Sequence, residues 1–295
     1  MTSARLDRAS GTNLFFKCEN FQKIGAFKAR GATNAVFSLD DTIAARGVAT
    51  HSSGNHGAAL ARAATLRGIP AHIVMPSNTS KVKVRAVEGY GAQITFCEPT
   101  QTARETTCAK IVEQTGATLI HPFENDQVIA GQGTAAVELL EDVPDLDLVL
   151  CPVGGGGLLA GTALASKLIR SDIKVIAVEP ANADDVAQSF QAKQLVRIDP
   201  ANTIADGLRT NVGARNFEII RRYVDDIVTV SEENIIAAMR TLWETMKILV
   251  EPSAAVPYAA LMENKISDRG KRIGIILTGG NVDLDALPWI VAKNH

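Results

Sequence analysis

Lys28 stands directly after Phe27 and three residues after Gly25, in the run Phe21-Gln22-Lys23-Ile24-Gly25-Ala26-Phe27-Lys28-Ala29-Arg30-Gly31. An apolar strand-like run, Leu14 to Cys18, feeds the Gly25 turn, and the small-residue helix that follows carries Lys28 in its first turn. Partial desolvation by Phe27 disfavours the ammonium form and lowers the amine pKa, which suits attack on a carbonyl to form a Schiff base. Taken alone, the same residue reads as a solvated lysine at a helix start. Gly154, Gly155, Gly156 and Gly157 lie between another apolar run and a helix opening at Leu158. Without side chains, their backbone N–H groups can surround a phosphate, helped by the helix dipole. Ser52-Ser53-Gly54-Asn55-His56-Gly57 makes a second such turn after the run ending at His51, although Ser and Asn also serve as plain helix caps. Thr278-Gly279-Gly280-Asn281-Val282-Asp283 follows the run Ile273 to Leu277, so Thr278 ends a strand where open α/β sheets gather ligands.

Two further patterns carry chemistry. Glu179-Pro180-Ala181-Asn182-Ala183-Asp184-Asp185 sets hard oxygen donors just past a strand. Such donors suit Mg2+, Ca2+ or Mn2+, and the same run also reads as an acidic solvated loop. Gly155-x-Gly157-x-x-Ala160, with Glu179 ending the next strand, fits a dinucleotide fingerprint and points to a nicotinamide-dependent oxidoreductase. That alternative leaves Lys28, the Ser52 to Gly57 turn and Thr278 without roles.

These residues need elements to position them. Strand-like runs are expected at Leu14–Cys18, Val48–His51, Ala71–Met75, Gln93–Cys97, Thr118–His121, Leu148–Cys151, Lys174–Val178, Ile227–Val230 and Ile273–Leu277. Helical spacing occupies Gly57–Leu66, Lys81–Glu88, Arg104–Gln114, Gln127–Leu140, Leu158–Ile169, Glu232–Met246 and Ala254–Met262. The alternation predicts an α/β fold with mainly parallel sheets flanked by helices. At 295 residues, 46% hydrophobic and 21% charged, the chain reads as globular, and its length suggests two domains. Lys and Arg number 30 against 32 Asp and Glu, with no basic run, which disfavours nucleic acid and favours a small-molecule partner. No apolar run approaches the roughly 20 residues of a membrane span, and Met1 to Ser10 is too polar for a signal peptide, so a cytoplasmic location is expected. Cys18, Cys97, Cys108 and Cys151 show no CxxC spacing and are expected to be buried free thiols.

In their order along the chain, the Lys28 run, Ser52 to Gly57, Gly154 to Leu158 and Thr278 to Asp283 resemble the fold-type II pyridoxal-phosphate (PLP) enzymes. The resemblance is to the serine racemase and serine/threonine dehydratase branch, threo-3-hydroxyaspartate dehydratases included, and it covers nearly the whole chain. It implies a tryptophan synthase β-like fold, with a large domain of residues 1–46 and 125–295 and a small inserted α/β domain of residues 47–124. Relative to that family, an N-terminal segment is missing, which keeps a catalytically idle homologue among the alternatives.

The resemblance also implies roles. Lys28, flanked by Phe27, carries PLP, while Gly154 to Gly157 and Leu158 hold its phosphate. Asn55 reaches the ring hydroxyl and, with Ser52 and His56, holds the substrate carboxylate; Ser53 lies on the face opposite Lys28. Thr278 faces the pyridine nitrogen. A hydroxyl there cannot keep that nitrogen protonated as a carboxylate would, and the weaker electron sink suits β-elimination and racemisation better than transamination. Arg104 reaches a second carboxylate on dicarboxylate ligands, and Asp206, Gly207 and Glu251 line the pocket. Glu179, the Ala183 carbonyl and Asp185 bind a divalent cation, Mg2+, Mn2+ or Ca2+. The implied activity is dehydration and deamination of L-serine, L-threonine or threo-3-hydroxyaspartate, with serine racemisation beside it, in a homodimer.

Overall fold

The computed structural model describes residues 1–199, 201–266 and 269–290. Its elements begin with α1 (Ala4–Ser10), β1 (Asn13–Cys18), α2 (Lys28–Phe37), α3 (Asp41–Ala44), β2 (Val48–Thr50), α4 (Asn55–Arg67) and β3 (Ala71–Pro76). Then come α5 (Lys81–Glu88), β4 (Gln93–Cys97), α6 (Gln101–Thr115), β5 (Thr118–Leu119), α7 (Asp126–Asp142), β6 (Leu148–Pro152) and α8 (Gly157–Ile169). The chain continues through β7 (Lys174–Pro180), α9 (Asp185–Ala192), α10 (Ala214–Tyr223), β8 (Asp226–Val230), α11 (Glu232–Met246), α12 (Pro252–Met262) and β9 (Arg272–Leu277). Two compact units result: Met1–Ala26 with Gly133–His295, and Phe27–Gln132. The expected mixed α/β class with parallel sheets is what forms.

In the first unit the strand order is β1-β9-β6-β7-β8, and every neighbouring pair is parallel. Such a sheet is covered on both faces, so its strands are continuous apolar runs; β6 is buried along its whole length. Helix α12 packs on β6, β7 and β9. It is apolar all round, with Ser253 to Leu261 buried, as a helix inside a core must be. Pro252 opens it, where a missing N–H costs no intrahelical bond. Register sets the functional edge: Cys18 pairs with Leu277 and Leu150 with Ile275, so the C-terminal ends of β1, β9 and β6 finish side by side. Thr278 and the glycine run both leave the sheet there.

The second unit carries the parallel order β4-β3-β2-β5. Helix α4 lies against β2 and β3 with Leu60, Ala61, Ala63 and Ala64 buried, and α2 packs on α4. On the sheet, Cys108 of α6 joins Ala49, Val74 and Ala117. A Cβ on Gly31 of α2 would lie 2.6 Å from the Val128 carbonyl oxygen and would also meet the Gln132 side chain, so this helix approach accepts only glycine.

Some expectations change. The strand predicted over Thr118–His121 stops at Leu119, because the His121 Nδ1 accepts from the Glu124 N–H at 2.9 Å and turns the chain. Helix α6 starts at Gln101, ahead of Arg104, because the Thr100 hydroxyl accepts from the Ala103 N–H at 3.1 Å and caps it. Helices α1, α3, α9 and α10 are additions. Cys108 and Cys151 are buried free thiols, but Cys18 and Cys97 are only half-buried, since each ends an outer strand of its sheet. Among the described residues no helix is long and apolar enough to cross a membrane.

Candidate active site

Lys28 is set by a sharp turn. Ile24 and Gly25 both adopt left-handed backbone, at φ 60° and 72°, and a Cβ on Gly25 would stand 2.7 Å from the Asn281 side-chain oxygen. Three residues after Gly25 α2 begins, with Phe27 at its cap position and Lys28 as its first residue. The Lys28 Nζ donates to the Pro122 carbonyl at 2.7 Å and stands 5.1 Å from the centre of the Phe27 ring. Both contacts favour one direction for the amine.

Beside it in the second unit, the Ser52 to Gly57 turn opens α4. A Cβ on Gly57 would strike the Ser52 carbonyl oxygen, so glycine is what lets the turn close. Ser52, Ser53 and Asn55 are half-buried at its mouth. The first-turn N–H groups at His56 and Gly57 have no intrahelical acceptor, and with the helix dipole they suit an anion. His56 itself is 2% exposed, with Nε2 3.0 Å from the Ile120 carbonyl. Burial, reinforced by the Lys28 charge, pushes its imidazole down to about 3, so the ring is neutral and helps an anion only through its main chain. Lys28 and His56 are thus anchored on carbonyls two residues apart, Pro122 and Ile120.

Sequence reasoning missed His51 and His121. Each follows a parallel strand, the position where such sheets gather ligands, and that was the available signal. Their rings meet edge to face at 5.6 Å between centres. Burial pushes His121 down to about 4, and burial with the nearby Arg104 charge lowers His51. Arg104, half-buried in the first turn of α6, donates from Nη2 to the Gln101 side chain at 3.0 Å. Its buried Nε and the buried Nδ1 of His51 have no hydrogen-bond partner among the described residues. Two unpartnered polar groups in one neighbourhood suit an incoming carboxylate.

In the first unit, Gly154 to Gly157 joins β6 to α8, with Gly156 left-handed at φ 88°. A Cβ on Gly154 would lie 2.8 Å from the Leu208 Cα, and one on Gly156 2.8 Å from the Asn216 Cβ. Leu158 is buried in the first turn of α8. Off the neighbouring strand, Thr278 is 3% exposed and its Oγ1 has no partner among the described residues. Glu251 backs this corner, its N–H donating to the Gly279 carbonyl at 2.9 Å, and Gly207 donates to the Ser253 hydroxyl at 3.1 Å. Within the first unit, a close-packed glycine cradle and an orphaned buried hydroxyl on the adjoining strand end suit the phosphate and ring of a pyridine aldehyde; within the second, the Lys28 amine suits its carbonyl. The residues present fit PLP.

Glu179 and Asp185, further along the same unit, are 0% and 2% exposed. Glu179 accepts from the N–H groups of Val186 and Ala187 at 3.2 and 2.9 Å, and Asp185 Oδ2 from that of Val212 at 2.7 Å. Burial first, then the Asp185 charge, raises Glu179 well above the usual carboxylate range, and burial pushes Asp185 up to about 6. Ala183 is buried between them in sequence. Among the described residues no cluster of three or more His, Cys, Asp or Glu forms a metal centre, so any cation here relies on two carboxylates and main-chain oxygen.

Residues 1–279 match the family model described as pyridoxal-phosphate dependent enzyme. A beta-hydroxyaspartate dehydratase of Paracoccus denitrificans is 49% identical over 288 residues, which cover 98% of this chain and 91% of that relative. The crystal structure of the serine racemase of Dictyostelium discoideum superposes with a TM-score of 0.92 at 48% identity, covering 96% of this chain and 92% of that one. A threonine deaminase crystal structure gives a TM-score of 0.91 at 41% identity over 96% of this chain and 92% of that one. This match favours pyridoxal phosphate over the nicotinamide alternative. The chain belongs to the pyridoxal-phosphate-dependent enzymes.

Proposed function

We propose that this enzyme eliminates water from small β-hydroxy amino acids and releases a keto acid and ammonia, with racemisation of serine as a second outcome. One observation carries the choice of reaction: the buried side chain offered by Thr278 is a hydroxyl and not a carboxylate, which favours elimination and racemisation over transamination. The dehydratase, racemase and deaminase named among its relatives support the same reading.

When bound, PLP supplies an electron sink next to the substrate α-carbon. Lys28 Nζ would hold the cofactor and, as the free amine, would accept the α-proton on its own face, its direction set by the Pro122 carbonyl and the Phe27 ring. Ser52, Asn55 and the first-turn N–H groups of α4 hold the substrate carboxylate. Ser53 Oγ exchanges a proton on the opposite face. The glycines from Gly154 to Gly157, with Leu158, would hold the phosphate, and the Thr278 hydroxyl would serve the pyridine nitrogen. Arg104, with its unpartnered Nε beside His51, favours a substrate bearing a second carboxylate, which puts threo-3-hydroxyaspartate ahead of serine and threonine.

A divalent cation at Glu179, Asp185 and the Ala183 carbonyl would offset two buried carboxylates. A cytoplasmic location agrees with the free thiols at Cys18, Cys97, Cys108 and Cys151. The homodimer reading agrees with exposed apolar side chains at Phe21 and Leu249, on loops joined by the bond from Asn20 to the Leu249 carbonyl. The deciding assay follows ammonia and keto-acid release from the three substrates, with chiral chromatography of serine alongside. PLP-loaded protein that releases ammonia from none of them and racemises no serine would be the idle homologue.

A further inference from the structure

The Gly155 carbonyl is held from behind. Asn216, 0% exposed in the first turn of α10, donates from Nδ2 to this oxygen at 2.6 Å, and the Gly213 N–H reaches it at 3.3 Å. In a planar trans peptide the carbonyl and the next residue's N–H point in opposite directions. Pulling the Gly155 oxygen toward α10 therefore turns the Gly156 N–H the other way. Gly156 is left-handed at φ 88°, and a Cβ there would be 2.8 Å from the Asn216 Cβ and 3.0 Å from Val212 Cγ2, so the loop is pressed onto the same support. That support is fixed at its other end by the Val212 N–H, which donates to Asp185 Oδ2 at 2.7 Å. Successive N–H groups around a left-handed glycine form a concave anion site only when each peptide plane is correctly rotated.

We infer that Asn216 is a positioning residue for the cofactor phosphate: by fixing the Gly155 carbonyl it aims the Gly156 N–H into the cradle. The inference rests on the proposed role of Gly154 to Gly157 in holding that phosphate. Asn216 acts on the ligand through one peptide plane and not by contact. Without it, the Gly155 oxygen keeps the longer bond from Gly213, and the plane is freer to rotate.

The test titrates full-length protein freed of cofactor with PLP, with pyridoxal, which lacks the phosphate, and with inorganic phosphate, the last followed by thermal stability. Wild type should bind PLP far more tightly than pyridoxal. Asn216→Ala should weaken PLP binding about tenfold, the worth of one lost hydrogen bond. Its pyridoxal binding should stay unchanged, and the stabilisation by inorganic phosphate should shrink in parallel. Asn216→Ser, whose hydroxyl can donate to the same carbonyl, should recover part of the loss. Wild type that does not distinguish PLP from pyridoxal overturns the phosphate role of the glycine loop. Wild type that does distinguish them, beside an Asn216→Ala protein that loses neither ligand or both equally, overturns the role of Asn216. If Asn216→Ala does not fold, Asn216→Asp replaces it, nearly identical in shape but with an acceptor facing the Gly155 carbonyl. A full preference for PLP in that variant overturns the inference too.

Discussion

The Lys28 Nζ donates to the Pro122 carbonyl oxygen at 2.7 Å. A proline backbone offers this amine a stiff acceptor, so the amine is aimed before any ligand arrives. Lys28→Ala should lose roughly 10³-fold or more in turnover, as removal of the proposed covalent anchor and proton acceptor together demands. Mass spectrometry after borohydride treatment should find no cofactor attached to the variant. An attached cofactor would move the anchor elsewhere, with Lys23 the first residue to examine.

Under the proposed roles, Ser53→Ala should separate two activities. Racemisation needs acid/base groups on both faces of the substrate, whereas elimination from the L enantiomer needs only the one on the Lys28 side. Ser53→Ala should suppress racemisation by roughly 100-fold or more and leave elimination from L-serine or L-threo-3-hydroxyaspartate within about threefold. Chiral chromatography beside a keto-acid assay reads both. Equal losses would mean that Ser53 serves only to orient the cofactor.

Replacing Thr278 by valine keeps the shape and deletes an unpartnered buried hydroxyl. Free of cofactor, Thr278→Val should be as stable as wild type or more so, by up to about 1–2 kcal/mol. Its PLP affinity and turnover should nevertheless fall several-fold. A variant that loses stability without cofactor would show the hydroxyl to be satisfied within the protein.

The acid pair predicts a cation response. A chelator should lower the thermal midpoint by several degrees, and Mg2+, Mn2+ or Ca2+ should restore it, since an ion at about 100-fold over its Kd adds about 2.7 kcal/mol. Asp185→Ala should abolish the response. Wild-type protein indifferent to chelator and cation alike would leave Glu179 and Asp185 as buried acids held by N–H groups and nothing more.

His56 predicts a pH dependence. Its imidazole is pushed from 6.5 down to about 3, so between these values the unfolded chain binds a proton that the folded chain refuses. Stability from this group is complete above about pH 6.5 and is lost as pH falls toward about 3, at up to about 1.4 kcal/mol per pH unit. His56→Gln should make the fall between about pH 6.5 and about 4 shallower, measured by urea midpoints. An unchanged slope would assign the effect to His51 and His121.

Strand placement was legible because parallel strands are apolar on both faces and here are punctuated by prolines such as Pro70, Pro144 and Pro180. The glycine run and Thr278 were legible for a related reason: both sit at strand ends. Helices α9 and α10 were not: the acidic run Asp184-Asp185 at the start of α9 reads as a solvated loop, and on α10 the polar Asn216 is buried for a partner, not for hydrophobicity. The Asp185–Val212 bond follows no period of helix or strand. Neutrality of His56 and His121 arises from burial, which spacing does not encode.

Strand β1 has a single ladder partner among the described residues, β9, and Asn13 opposite Arg272 joins nearly the two ends of the chain. During synthesis, Leu14 and Phe16 therefore leave the ribosome with nothing to pair against, while the contiguous stretch Phe27–Gln132 can close on itself. At about 5–20 residues per second, β1 waits roughly 10–50 s for β9. In that interval an apolar sheet edge is open to any chaperone, or to the β1 of a neighbouring nascent chain.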